Sequence, residues 1–277
     1  EIEEAILKVA RDCNFIMGTQ IDELERNLEK FTGSKYAISC SSGTDALLLA
    51  MMALDIQPDD EIITTPFTFF ATAETIAFLK AKPVFVDIDE KTYNIDPKKI
   101  EEKISSKTKA IIPVSLYGQP ADMDEINQIA KKYNLKVIVD GAQSFGSTYK
   151  GISDSNLGDI SCTSFFPAKP LGCYGDGGAL FTNDEKLADK IKSLRLHGQS
   201  IRYHHQYIGM GGRLDTIQAA VLNVKLKYYE KDLKLRQDVA EKYTKALNAK
   251  NIETPFVKND RTSAWAQYSI RVQNRTE

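Results

Sequence analysis

With 277 residues, 42% hydrophobic and 27% charged, the sequence has the size and balance of one large domain plus part of a second. At that length about 75% of the unfolded chain's surface is available for burial. A formal charge of -2, from 36 Lys and Arg against 38 Asp and Glu, gives no electrostatic basis for binding nucleic acid or an anionic membrane.

No apolar run reaches the roughly 18 to 20 residues needed to span a bilayer, and no basic, apolar leader opens the chain. Cys13, Cys40, Cys162 and Cys173 are widely spaced and form no Cys-x-x-Cys pair, which favours reduced thiols and a cytoplasmic location. The chain begins at Glu1 and stops just after the strand-like run Tyr268 to Val272, so it reads as a fragment trimmed at both ends.

Short β-branched runs at Tyr36 to Cys40, Glu61 to Thr64, Pro83 to Asp87, Ala110 to Val114 and Lys136 to Asp140 predict strands. Between them Thr44 to Leu54, Ala71 to Leu79, Pro97 to Ile104 and Met123 to Tyr133 carry apolar residues at helical spacing. That alternation predicts a mostly parallel sheet covered by helices. Ile160 to Phe166 and Gly178 to Thr182 add two strands around a glycine-rich loop, Gly172 to Gly178. A long helical pattern then runs from Leu214 toward Leu247, and a strand near Thr262 to Val272 opens a second domain.

Four segments can carry chemistry. Ser164-Phe165-Phe166-Pro167-Ala168-Lys169 places a lysine between a strand end and a glycine-rich turn. Partial desolvation there lowers its pKa toward what Schiff-base formation needs, although an ordinary loop lysine is the plainer alternative. Val137-Ile138-Val139-Asp140 ends a buried strand with a carboxylate, where ligands of parallel sheets bind. Asp140 can pair with a protonated pyridine nitrogen or merely cap the next turn, and Gln143 can reach a phenolic oxygen or satisfy a loop group. Ser41-Ser42-Gly43-Thr44 leads from a strand into a helix whose free N–H groups suit a phosphate, as they also suit ordinary capping. Pro66-Phe67-Thr68-Phe69-Phe70 sets aromatics before another helix; Phe69 is the candidate for stacking on a ring, while core packing is expected for some of these phenylalanines.

In this order and spacing the segments resemble the DegT/StrS-type sugar aminotransferases, a branch of the fold-type-I pyridoxal phosphate (PLP) enzymes, over essentially the whole chain. The most specific block runs from Asp140-Gly141-Ala142-Gln143 through Ser164 to Lys169 and on to Gly175-Asp176-Gly177-Gly178-Ala179. The resemblance implies an α/β fold-type-I PLP-transferase with a mostly parallel seven-stranded sheet. Residues 1–235 would form the large domain and 236–277 an incomplete α/β small domain. It implies Lys169 as covalent anchor of PLP and proton shuttle, Asp140 on the pyridinium nitrogen, Gln143 near the phenolic oxygen, Gly43, Thr44 and Ser164 on the phosphate, and Phe69 stacked on the ring. Pyridoxamine phosphate would be the alternate cofactor form, no metal is implied, and a homodimer with shared active sites is expected.

Two features qualify the match. Many relatives place an Asn on the partner's cofactor phosphate where this chain has Gly211, which lacks a side chain to do so. A dehydrating branch carries His where Lys169 stands, and a regulator that had lost the reaction would have little need for Lys169, Asp140 and Gln143 together.

His197, Arg202, Tyr203, His204 and His205 cluster in one segment, with Arg213 following; they are either a polar surface loop or a site for the uronate carboxylate or diphosphate of a sugar nucleotide. Their pattern resembles the subgroup acting on UDP-2-acetamido-2-deoxy-3-oxo-glucuronate with glutamate as donor, in lipopolysaccharide O-antigen or related surface polysaccharide synthesis. A 4-keto-6-deoxy UDP- or dTDP-sugar is the alternative acceptor.

Overall fold

The computed structural model describes residues 1–250 and 252–273. Two helices, α1 (Ile2–Asp12) and α2 (Thr19–Thr32), precede the first strand, β1 (Tyr36–Cys40). Gly33 closes α2 at φ 73, a left-handed position that glycine adopts without a Cβ penalty. There follow α3 (Gly43–Ala53), β2 (Glu61–Thr64), α4 (Ala71–Phe78), β3 (Lys82–Phe85), β4 (Thr108–Ile111), α5 (Met123–Tyr133) and β5 (Lys136–Asp140). A small hairpin of β6 (Thr148–Tyr149) and β7 (Ile152–Ser153) leads to β8 (Ile160–Ser164) and β9 (Gly178–Thr182). The chain continues through α6 (Glu185–Leu194), the hairpin β10 (Gln199–Ile201) and β11 (His204–His205), α7 (Thr216–Leu226) and α8 (Tyr229–Asn248).

Seven strands form one sheet in the order β1-β9-β8-β5-β4-β2-β3. Only β9 runs against its neighbours; the other pairings are parallel. Successive residues of a strand face opposite sides, so a sheet covered on both sides needs apolar residues at nearly every position. Ile38, Ile138 and Leu180 pack with Leu49 and Met51 of α3 and Ile191 of α6, while their neighbours Ala37 and Phe181 pack with Leu24 and Leu28 of α2 and Leu222 of α7. Val137 and Val139 face a third cluster with Met123 and Ile126 of α5. Cys40, Cys162 and Cys173 are buried in this interior, Cys13 is exposed, and all four are free. Among the described residues no helix is long and apolar enough to cross a membrane.

Three expectations are corrected. Pro97 to Ile104 is not an α-helix but two 3₁₀ turns, Pro97–Lys99 and Glu101–Lys103. Asp96 caps it by accepting from the Lys98 amide, and the amides of Lys99, Ile100, Lys103 and Ile104 each reach the carbonyl three residues back instead of four. The helical run from Leu214 is broken into α7 and α8 around Lys227 and Tyr228, which lets Tyr229 enter the core and donate its hydroxyl to the Phe145 carbonyl at 2.6 Å. The division expected at 235/236 falls within α8, a helix long enough to belong to both units, and stays a proposal. Finally, Thr262 to Val272 forms no strand: only isolated bridges, Tyr149 to Arg261 and Glu253 to Arg271, occur there. Its amides are instead drawn into single contacts, Thr262 with the Thr148 carbonyl, Ala264 with that of Gly118 and Ala266 with that of Tyr117.

Candidate active site

The parallel strands deliver their carboxyl ends to one edge of the sheet, and the sequence-predicted cofactor residues collect there. Asp140 is the last residue of β5 and is buried. Its carboxylate accepts the Thr72 hydroxyl from the first turn of α4 at 2.7 Å and the Ala142 amide at 3.2 Å. Burial pushes its pKa upward, against the pull of those two donors and of the Lys169 charge. Burial pushes Lys169 the other way, below the usual lysine range, and the Asp140 charge opposes that. Among the described residues the Lys169 ammonium makes no hydrogen bond or ion pair. A partly buried amine with a lowered pKa is poised to act as base and nucleophile.

Gly43 and Ser164 are brought into contact: a Cβ on Gly43 would lie 2.6 Å from the Ser164 Cβ. Ser42 caps α3 by accepting from the Asp45 amide at 3.0 Å, and its carbonyl takes the Ala46 amide. The Gly43 and Thr44 amides are then left without an acceptor among the described residues, the condition under which a helix start binds an anion. The Gln143 Oε1 accepts the Tyr117 amide at 2.7 Å, so its NH2 group is the end free to donate.

Phe67, Phe69 and Phe70 are 43, 68 and 70% exposed, so the core packing expected for some of them is absent. Helix α4 buries Ala71, Thr72, Thr75 and Ile76 instead, leaving the preceding aromatics outside. Phe67 lies 5.9 Å from Tyr93, ring to ring, while Phe69 is tied to the site through its carbonyl, which takes the Thr72 amide.

His197, Arg202, Tyr203, His204 and His205 lie on or beside the β10–β11 hairpin and are exposed. The His205 Nδ1 is 2.8 Å from the His197 carbonyl, and the Arg202 guanidinium lies over the Tyr203 ring. Among the described residues none of the five hydrogen-bonds to Asp140, Gln143 or Lys169. Arg213 sits nearer: the preceding Gly212 carbonyl accepts the Ser41 amide at 3.1 Å, joining its segment to the start of α3. The space a Cβ on Gly211 would enter is bounded by the His197 ring at 3.1 Å.

Several supporting residues escaped the sequence reading. Thr72 fell within a stretch read only as helix and Asp154 drew no reading, yet Asp154 is buried and accepts the Ser115 hydroxyl at 3.0 Å and the Ser144 hydroxyl. Gln218 and Lys225 of α7 hold the loop after Lys169, through the Tyr174 amide and the Gly172 carbonyl. Arg195 and Glu25 form a buried pair at 2.5 Å that also engages Ser39. Only the fold reveals such partners, because most of these contacts join segments far apart in sequence.

A desolvated lysine facing a buried carboxylate, beside an open helix start on a sheet of this order, defines a fold-type-I transferase. The chain belongs to the DegT/DnrJ/EryC1/StrS aminotransferase family, whose signature matches residues 1–277. It is 54% identical, over 99% of its own length and 77% of the relative's, to the UDP-2-acetamido-2-deoxy-3-oxo-D-glucuronate aminotransferase of Pseudomonas aeruginosa. It is 44% identical, over 100% of this chain and 75% of the other, to a pleiotropic regulatory protein of Geobacillus stearothermophilus. The crystal structure of a Brucella abortus aminotransferase of the family superposes with a TM-score of 0.96 at 41% identity, covering 99% of this chain and 75% of that one.

Proposed function

We propose that the protein moves an amino group from glutamate to a nucleotide-linked keto sugar, UDP-2-acetamido-2-deoxy-3-oxo-glucuronate, with PLP as cofactor. The family is PLP-dependent. The observation that carries the reading to this chain is the opposed pair: a buried carboxylate at the end of β5 and a desolvated, unpartnered lysine within reach of its charge. The donor set fits the cofactor at each point, with a carboxylate for a ring N–H, an amide donor for a phenolic oxygen, and free amides beside a hydroxyl for a phosphate.

When bound, PLP supplies an electron sink that stabilises negative charge developing at the substrate carbon. The chain supplies the rest. Asp140, whose carboxylate accepts from Thr72 and the Ala142 amide, would face the ring nitrogen and favour its protonated form. Gln143 would donate its NH2 to the phenolic oxygen, Gly43, Thr44 and Ser164 would hold the phosphate, and Phe69 would cover one face of the ring. Lys169 would be the covalent anchor, and its Nζ would hold and move the proton of the donor's alpha carbon in one half-reaction and return one in the other.

His197, Arg202, Tyr203, His204, His205 and Arg213 would meet the uronate carboxylate or diphosphate. Their exposure suits a site completed by a second subunit, and the apolar surface at Phe69, Phe70, Phe166, Tyr174 and Ile208 is what a homodimer would cover. The product would serve lipopolysaccharide O-antigen or related surface polysaccharide synthesis in the cytoplasm. A 4-keto-6-deoxy UDP- or dTDP-sugar needs the same core and is the second reading; a regulator that has given up the reaction would have little use for Lys169, Asp140 and Gln143 together.

The test is the visible absorption of the full-length protein with PLP. A band bleached by glutamate and restored by the 3-keto uronate nucleotide supports the assignment. Restoration by a 4-keto sugar alone moves the substrate, and a band indifferent to every amino donor removes the activity.

A further inference from the structure

Behind Asp140 lies a second buried carboxylate that the reaction does not consume. Asp154, in the short turn after β7, is 1% exposed. Its two oxygens take hydroxyls from two different segments: Ser115, just after β4, at 3.0 Å, and Ser144, in the turn after β5. Those same two serines grip the backbone at Asp140. The Ser115 amide donates to the Asp140 carbonyl at 3.0 Å, and the Ser144 amide donates to the Gly141 carbonyl at 3.1 Å. Gly141 turns its bare side toward this carboxylate, since a Cβ there would stand 3.2 Å from the Asp154 Oδ2 and 3.0 Å from the Cys162 carbonyl. Asp154 is itself tethered: its amide donates to the Ser147 carbonyl at 3.0 Å and its carbonyl accepts the Ser161 hydroxyl at 3.3 Å.

We infer that Asp154 is a positioning residue: through Ser115 and Ser144 it locks the two successive carbonyls of Asp140 and Gly141, and so sets where the Asp140 carboxylate meets the cofactor's ring nitrogen. The inference rests on the proposed pairing of Asp140 with that nitrogen. A carboxylate that accepted the same hydroxyls merely to support the fold would have no means of distinguishing one ring atom of the ligand from another. A residue that aims Asp140 does.

The test compares two probes binding to the full-length protein, PLP and its analogue with carbon in place of the ring nitrogen, by equilibrium titration of the absorption band. Both use the phosphate site and Lys169, but only PLP can use Asp140. Asp154→Ala is expected to cut the preference for PLP over the analogue about tenfold, within the range of coupling inside one hydrogen-bond network. Ser115→Ala and Ser144→Ala, each removing one strut, should move the preference the same way, so the outcome does not depend on a single variant folding. Equal losses of affinity for both probes, or none, overturn the inference. Asp140→Asn, run alongside, should erase the preference. If it does while the Asp154 and serine variants change nothing, only the positioning role falls; if Asp140→Asn leaves the preference intact, the pairing itself is wrong and the inference falls with it.

Discussion

The Thr72 hydroxyl donates to the Asp140 carboxylate across 2.7 Å, joining the first turn of α4 to the last residue of β5. A buried carboxylate that loses such a donor keeps its desolvation cost without relief, so Thr72→Val, which preserves shape, is expected to destabilise the protein by about 1–3 kcal/mol. It should also raise the Asp140 pKa further and weaken PLP binding. Urea denaturation and a PLP titration measure the two effects, and a variant identical to wild type in both would remove Thr72 from the site.

Lys169→Ala should retain the fold, because the lysine makes no hydrogen bond or ion pair among the described residues. Turnover should drop by at least about 10²–10⁴-fold, the usual worth of general acid–base transfer, with the covalent anchor lost besides. Steady-state rates with glutamate as donor decide it, and normal turnover would end the assignment.

For Asp140→Asn the expectation is retained PLP binding with severe loss of activity, since the amide fills the same space but cannot hold the ring nitrogen charged. An unimpaired rate takes Asp140 out of the mechanism.

The buried carboxyls give stability a pH signature. Burial pushes Asp154 from 3.8 up to about 6, with the neighbouring Asp140 charge adding to the rise and the Ser144 and Ser115 hydroxyls and the Arg261 charge opposing it. The folded form therefore binds this proton more tightly than the unfolded chain. Its contribution is full below about pH 4 and is lost as pH rises through about 6. Asp140 shifts in the same direction, while Asp89 and Asp260 shift down and work oppositely, so the clean measurement is a difference. Relative to Asp154→Asn, the wild type should lose up to about 3 kcal/mol between pH 4 and pH 6.5, read from urea midpoints at fixed pH. A pH-independent difference would mean that Asp154 does not titrate there.

Gly43→Ala places a methyl 2.6 Å from the Ser164 Cβ, and either α3 or the end of β8 must move. A cost of about 1–3 kcal/mol is expected from such overpacking, with phosphate affinity falling more than the fold's stability. Titration with inorganic phosphate reads the affinity and urea denaturation the stability.

The alternation of β-branched runs with helical spacing was enough to read the sheet and its layers, because burial on both faces leaves a dense apolar signature. The strand ends at Asp140 and Ser164, and the helix start at Gly43, were legible for the same reason: their chemistry is written in contiguous residues. What the sequence hid depends on contacts made across the fold. Nothing local marks Tyr229 as the residue that interrupts a helical run to fill a gap beside Phe145, and the apolar spacing of Pro97 to Ile104 does not tell a pair of 3₁₀ turns from an α-helix. Phe67, Phe69 and Phe70 look like core because they are apolar, but composition does not reveal that α4 turns its small residues inward.

The reversed strand β9 has a consequence for how the molecule is made. Gly178 is its first residue, and it pairs with Cys40 on one side and Ser164 on the other. The start of α3 and the lysine loop are therefore stitched together by one residue between strands more than a hundred positions apart in the chain. Contacts of such long range carry a loop-closure cost and form late, after local helices and neighbouring strands have paired. As the ribosome releases the chain, the central strands can pair as they emerge, but the edge at Cys40 stays without its neighbour until residues 178–182 have been made.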